Sequence, residues 1–327
     1  MRSLPVAVSK NPVSKSELSS ADVEGVVCAD AIEFLAGYSG EAPKLIFADP
    51  PFNIGYKYDR YKDELPYEAY VHWTTDWMRA CSDALDPAGS FYVAIGDEYA
   101  AEVRLAGRQL DLTLRNWIIW HYTFGQSTRR KFARAHAHIF YFVKDPRNFT
   151  FDDGAIRMPS DRQLLYNDRR ANPKGKLPDD VWTLCRDCAR KNSLAGGDAA
   201  TDIWLMSRVC GTFKEREQWH PCQMPEKLLE RIIRTSSNPG DLVFDPFAGS
   251  GTTLAAAKRL GRRYLGTDIS RQYVRKANQR LRQTRCDPSR VNAPLEPIQP
   301  PEPKRLAEPR HRPGRRANPD TEPGLWA

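Results

Sequence analysis

Two short segments carry residues that could do chemistry. The first is Asp49-Pro50-Pro51-Phe52. Proline has no backbone N–H and a fixed φ, so the pair stiffens the loop and leaves its carbonyl oxygens facing outward as acceptors. A carboxylate followed by such carbonyls, with the Phe52 ring as a stacking face, suits a planar aromatic amine. The lone pair of that amine is delocalised into its ring, and holding both N–H bonds in acceptors favours the pyramidal, nucleophilic form. Taken alone, the segment is equally a proline turn at a strand end with an exposed phenylalanine.

The second segment is Phe244-Asp245-Pro246-Phe247-Ala248-Gly249-Ser250-Gly251-Thr252-Thr253, a strand, a glycine turn and a helix start. Its glycines let the backbone turn sharply and approach a ligand closely. A phosphate loop would place Lys before Thr252, and here Gly251 stands there. A dinucleotide fingerprint would place a third glycine at Leu254. What remains is a turn suited to a ligand with a nucleoside and a zwitterionic tail, with Asp268 at the tip of the next strand to accept from a ribose diol. A strand–helix turn with an Asp cap has the same local pattern. Cys185-x-x-Cys188, with Cys210 and either His220 or Cys222, approximates a zinc site. Its spacing is irregular, so reduced thiols and no metal are expected. His136 and His138 share one strand face and are expected to pack or to touch phosphate.

The elements that must hold these loops follow a β/α rhythm from Val23 onward. Apolar runs predict strands at 44–48, 90–95, 117–122, 138–143, 242–244 and 264–268. Helical spacing predicts helices at 67–85, 226–235 after Pro225, 252–260, and from the Ser270 cap to about Arg285. Strands alternating with helices indicate a mainly parallel sheet covered on both faces. Residues 150–215 break the rhythm and read as an inserted segment. Residues 1–22 read as a flexible leader. The tail 287–327 holds ten of the 25 prolines and reads as disordered.

The chain has 327 residues and a formal net charge of +8. No apolar run approaches the ~18 residues of a membrane span, and the N-terminus lacks the apolar core of a secretory signal. Seven scattered cysteines fit a reduced compartment rather than a disulfide scaffold. The charge is unevenly placed. Residues 1–103 hold 8 basic and 17 acidic side chains, residues 104–147 hold 9 and 2, and residues 258–285 hold 10 and 1. That placement points to a polyanion-binding face.

Together, the loops at 49–52 and 247–251 resemble the D-P-P-[YF] and F-x-G-x-G motifs of DNA amino-methyltransferases that use S-adenosylmethionine, in the order of the β group. Four further segments are similar to family motifs: Cys28-Ala29-Asp30 with Ile32 and Leu35, Leu85–Gly89, Phe132–Asp145, and His220-Pro221-Cys222-Gln223-Met224-Pro225 through Leu229. Cys222 and Met224 stand where Thr and Lys are commoner, and Phe52 where Tyr is.

The resemblance, over about 23–285, implies an α/β fold: a doubly wound, mainly parallel seven-stranded methyltransferase sheet with an inserted target-recognition segment. It implies a catalytic half at 23–149, target recognition at 150–215 and a cofactor-binding half at 216–286. Asp49, Pro50, Pro51 and Phe52 would be catalytic. Asp30, Asp245, Pro246, Phe247, Ala248, Gly249, Ser250, Gly251, Thr252 and Asp268 would hold S-adenosylmethionine, with His220, Gln223 and Lys227 toward its methionine end. Arg115, Arg129, Arg130, Lys131 and Arg134 would secure phosphates around the cleft. A leading Asp49 favours adenine N6 in flipped-out duplex DNA. The alternatives are cytosine N4 and a non-catalytic DNA-binding module with a decayed site. Double-stranded DNA is the implied partner, in the bacterial cytoplasm and nucleoid and away from membranes. A homodimer and a cognate restriction endonuclease are compatible with it.

Overall fold

A computed structural model of the chain describes residues 24–122, 129–157, 162, 168–182, 209 and 215–291. The leader, the tail beyond Val291 and Cys185, Cys188 and Cys210 lie outside the described residues. Eight strands form one sheet: β1 (Gly25–Cys28), β2 (Leu45–Ala48), β3 (Ser90–Ile95), β4 (Thr113–His121), β5 (His136–Val143), β6 (Val181–Trp182), β7 (Leu242–Asp245) and β8 (Arg263–Asp268). Their order across the sheet is β1-β8-β7-β2-β3-β5-β4-β6. β5 runs antiparallel to β3 and β4, and the remaining neighbours pair in parallel. The α/β doubly wound reading holds. The sheet has eight strands rather than seven, because Val181–Trp182 of the inserted segment pairs with Ile119–Trp120 at the edge.

The helices are α1 (Ala31–Gly37), α2 (Tyr67–Ala84), α3 (Ala100–Gln109), α4 (Glu226–Ser236), α5 (Thr252–Arg259), α6 (Arg271–Gln283) and the short α7 (Pro288–Val291). Alternate residues of a strand point to opposite faces. Leu45 and Phe47 accordingly join Tyr92, Ile139, Leu229, Ile233 and Leu254 in the core beneath α4 and α5. Ile46 and Ala48 join Trp77, Met78, Phe91, Val93 and Val103 in the core beneath α2 and α3. Strands covered on both faces read as continuous apolar runs, as 45–48 and 90–95 do.

The strand order positions the chemistry. β2 continues to β3 on one side, and β7 continues to β8 on the other, yet β2 and β7 are hydrogen-bonded neighbours. The crevice at the carboxyl ends of strands that wind in opposite directions is where α/β sheets take ligands. The 49–52 loop leaves β2 at that point and the 246–251 turn leaves β7 beside it.

Candidate active site

The catalytic-loop candidate is held from below and behind. Tyr70, fully buried on α2, donates its hydroxyl to the Pro51 carbonyl at 2.6 Å. This corrects the expectation that both proline carbonyls face outward: a buried donor claims the second. Asn53 takes a left-handed backbone (φ 56°). Its side chain donates to the Leu65 carbonyl (2.9 Å) and the Tyr99 hydroxyl (2.7 Å), and accepts from the Leu65 N–H (2.6 Å). The buried Asp63 carboxylate gathers the N–H groups of Asn53, Ile54 and Tyr56 at 2.7, 3.1 and 2.9 Å. Tyr58, on the same loop, hydrogen-bonds Cys222 and lies near Asp49; burial first, then these neighbours, raises its hydroxyl well above the tyrosine range. Asp49 and Phe52 are half-buried. Gly96 lies so close to Phe52 that a Cβ there would sit 3.3 Å from the ring.

The glycine turn needs its glycines. Gly249 and Gly251 have φ of 47° and 73°, a region costly for residues with a Cβ. A Cβ on Gly249 would also meet the His220 Nε2 at 2.7 Å. Asp268 accepts the Gly249 N–H at 3.1 Å and the Ser270 N–H at 2.7 Å. Burial lifts its carboxyl to about 6, against those two bonds. Asp245 accepts the Phe247 N–H at 2.9 Å and sits at about 7, raised by complete burial. Thr267 Oγ1 donates to the Pro246 carbonyl (2.8 Å), and the Ala248 N–H to the Thr267 carbonyl (2.9 Å). Ser250 and Thr252 bond each other, and Arg280 caps both from α6. Phe247 rests edge-on against Trp77, ring centres 5.2 Å apart.

The other expected cofactor contacts divide by role. His220 is buried, its Nδ1–H donating to the Cys222 carbonyl, and burial holds it neutral with a value of about 4. Its Nε2 lone pair therefore faces the glycine turn. Asp30 lies two residues beyond β1 and caps α1, its carboxylate accepting from the N–H groups of Ile32 (2.8 Å) and Glu33 (3.2 Å). Gln223 is committed to its own loop: its Oε1 accepts from the Glu217 N–H (2.8 Å) and its Nε2 donates to the Glu215 carbonyl (2.7 Å). Lys227 is exposed in the first turn of α4.

The basic residues also divide. Arg129, Arg130 and Lys131 are exposed on the approach to β5. Arg134 is held by Asp97 at 2.8 Å and by Glu98 on two nitrogens, so its charge is already matched. Arg115 lies near the start of β4 with its guanidinium 4.9 Å from the Phe149 ring centre. That is the opposite end of the sheet from the catalytic loop, because Leu114 and Asn116 pair with Phe142 and Tyr141 near the end of antiparallel β5. It does not line the cleft.

Among the described residues, Asp97, His136 and His138 form one group with metal-ligand spacing. Their protons are arranged for hydrogen bonding instead. Trp117 Nε1–H donates to His138 Nδ1 at 3.0 Å, so the neutral ring carries its proton on Nε2, which donates to Asp97 at 3.1 Å. A metal would need that Nε2 lone pair.

Tyr58, Asp63, Tyr70 and Tyr99 carry no sign of this role in the sequence, where Tyr70 reads only as part of the helical spacing at 67–85; the role arises from contacts between separate elements. The donor set at the β7 and β8 tips fits a nucleoside-bearing cofactor. The turn, without side chains at Gly249 and Gly251, lies beside the Asp268 carboxylate, with the Phe247 ring at its rim.

The model of the DNA methylase family N6_N4_Mtase matches residues 44–279. The type II methyltransferase M.HpaI of Haemophilus parainfluenzae is 33% identical over 258 residues, covering 78% of this chain and 73% of that protein. The DNA adenine methyltransferase YhdJ of Escherichia coli K12 is 33% identical over 270 residues, covering 80% and 83%. The crystal structure of the M1.HpyAVI–SAM complex superposes with a TM-score of 0.51 at 20% identity, covering 79% of this chain and 99% of that one. At that identity the likeness shows the fold alone.

Proposed function

The chain belongs to the DNA methylase family of adenine-N6 and cytosine-N4 amino-methyltransferases, and from that premise we propose that it methylates the exocyclic N6 of adenine in duplex DNA. DNA amino-methyltransferase activity with S-adenosylmethionine as donor comes with the family. The finer reading is carried by Asp49, the carboxylate that leads the catalytic loop at the β2–β7 crevice. The relative YhdJ, an adenine methyltransferase by name, supports it.

S-adenosylmethionine supplies an electrophilic methyl group on a sulfonium that needs no metal to leave. The protein's contribution is proximity and orientation. Asp49 and the Pro50 carbonyl would accept the two N–H bonds of the amine. Phe52 would stack on the extruded base, whose flipping costs a few kcal/mol. The nitrogen lone pair would form the new N–C bond as the S–C bond breaks and its electron pair returns to sulfur as the neutral thioether, and Asp49, bonded to the amine, would take the proton the nitrogen then sheds. Asp268 would accept from the cofactor ribose, and the 246–251 turn would lie along it. Residues 150–215 would choose the target sequence by contacts to base edges, and Arg129, Arg130 and Lys131 would neutralise phosphates.

Among the described residues no helix is long and apolar enough to cross a membrane. A DNA substrate would put the enzyme at the bacterial nucleoid, where a second copy or a cognate endonuclease would act beside it.

Labelled methyl transfer to duplex DNA, followed by nucleoside analysis, tests the reading. N6-methyladenine is expected, with Asp49→Ala abolishing transfer while cofactor binding is kept. N4-methylcytosine would overturn the choice of base. Labelling confined to RNA or protein, or binding without turnover, would overturn the substrate and the activity.

A further inference from the structure

We propose that Tyr70 and Tyr99 are positioning residues, a pair of hydroxyls that clamp the catalytic loop on either side of Phe52 and so set which proline carbonyl and which ring face meet the target base. The inference rests on the reading of Asp49–Phe52 as the amine-binding loop.

A loop with two consecutive prolines cannot hold itself in place with its own backbone donors. The first proline is kept extended by the second. In such a run successive carbonyls point about a third of a turn apart, so the two proline oxygens cannot both face the amine. The Tyr70 hydroxyl settles the choice by donating to Pro51 at 2.6 Å. With the Pro51 oxygen turned toward α2, the Pro50 oxygen is the one left to meet the amine. The same bond fixes the plane of the Pro51–Phe52 peptide, and with it the direction in which the Phe52 side chain leaves the backbone.

On the far side of Phe52, Asn53 occupies the left-handed region at φ 56°, which asparagine adopts more readily than other residues with a side chain and which its side-chain bonds hold here. The Tyr99 hydroxyl, 2.7 Å from Asn53 Nδ2, is one of those holds, together with the two bonds to the Leu65 backbone. The two tyrosines come from different elements, α2 and the 3-10 turn Asp97–Tyr99, and their rings meet with centres 4.2 Å apart. Both are buried. Burial raises the Tyr70 hydroxyl well above its ordinary range, so it keeps its proton and stays a donor across the pH range of the reaction.

The clamp also reaches the cofactor side. Tyr70 contacts Trp73 (5.5 Å), Trp73 contacts Phe247 of the glycine turn (5.7 Å), and Trp73 stacks on Tyr61 of the loop beyond Asn53 (5.7 Å). One face of α2 thus sets the amine-binding loop and the cofactor turn against a common aromatic wall. That is the rigid support a transfer needs when the reacting atoms must be held within a few tenths of an ångström.

The test uses Tyr70→Phe and Tyr99→Phe in the full chain. Each removes one oxygen and leaves the ring packing. For Tyr70→Phe, kcat on duplex DNA is expected to fall about fivefold to tenfold, the effect of one lost hydrogen bond. The cofactor Kd and the Tm should stay within twofold and about 2 °C. Tyr99→Phe should show the same split with a smaller loss, because Asn53 keeps its bonds to Leu65. A Tyr70→Phe enzyme with wild-type kcat would overturn the inference. So would a parallel loss of kcat, cofactor affinity and Tm, which would mark Tyr70 as purely structural. If the wild-type chain transfers no methyl group to DNA, the amine-binding reading fails instead. In that case a crystal structure of Tyr70→Phe decides the clamp: a Pro51 carbonyl still facing α2 would refute it, and a turned 51–52 peptide would sustain it.

Discussion

Replacing Asp245 with asparagine should change how the stability of this enzyme depends on pH. Asp245 ends β7 with 3% of its surface exposed, and burial holds its carboxyl at about 7. In the unfolded chain an aspartate titrates near about 4. Between those values the folded chain binds more protons than the unfolded one, so this group's contribution to stability is fully present at low pH and is lost as pH rises through about 7. Between pH 5 and pH 8 the loss amounts to roughly 3 kcal/mol, at about 1.4 kcal/mol per unit of pKa difference.

Asparagine keeps an oxygen for the Phe247 N–H, which Asp245 accepts at 2.9 Å, and does not titrate. The stability of Asp245→Asn relative to wild type should therefore improve by about that amount from pH 5 to pH 8, or several degrees in Tm. Other groups titrate in the same window. His220, held at about 4, loses stability as pH falls, and Asp268, at about 6, loses it as pH rises. His220 cancels in the difference, and Asp268 cancels apart from its charge repulsion with Asp245, the smallest of the causes acting on that carboxyl. Urea unfolding at half-unit pH steps gives that difference directly. Two curves that run parallel within about 0.5 kcal/mol would refute burial as the feature that governs Asp245.

Gly249→Ala should weaken cofactor binding at least tenfold by calorimetry, because its Cβ would enter the buried His220 ring at 2.7 Å on a backbone with φ 47°. Unchanged affinity would mean the turn can give way. Substituting Arg129, Arg130 and Lys131 together by Ala should lower the slope of log K against log salt for duplex DNA by up to about 2 to 3, with Tm unchanged since all three are exposed. An unaltered slope would remove them from the phosphate contacts.

Much of the fold could be read from local pattern. The apolar runs at 44–48, 90–95 and 264–268 and the helices from Tyr67, after Pro225 and after the Ser270 cap are close to where they were expected, because both-face burial, helical spacing and the Ser270 cap leave local signatures. The eighth strand could not be read: Val181–Trp182 is too short to signal itself and exists by pairing with β4. The charge pattern located basic blocks but not their partners. Arg134 and Arg115 were equivalent to Arg129 as letters, and only the fold put Asp97 and Glu98 beside the first and Phe149 beside the second.

The sequence by itself marked the two candidate loops, Asp49–Phe52 and Phe247–Gly251, because residue type and close spacing are written in consecutive positions. Tertiary structure alone decided that these loops face one crevice, that the Pro51 carbonyl turns inward to Tyr70, and that Gln223 is spent on its own loop. Those outcomes depend on which strands are neighbours and which buried donors meet which acceptors. Such pairings join residues far apart in the chain, and no local pattern encodes them.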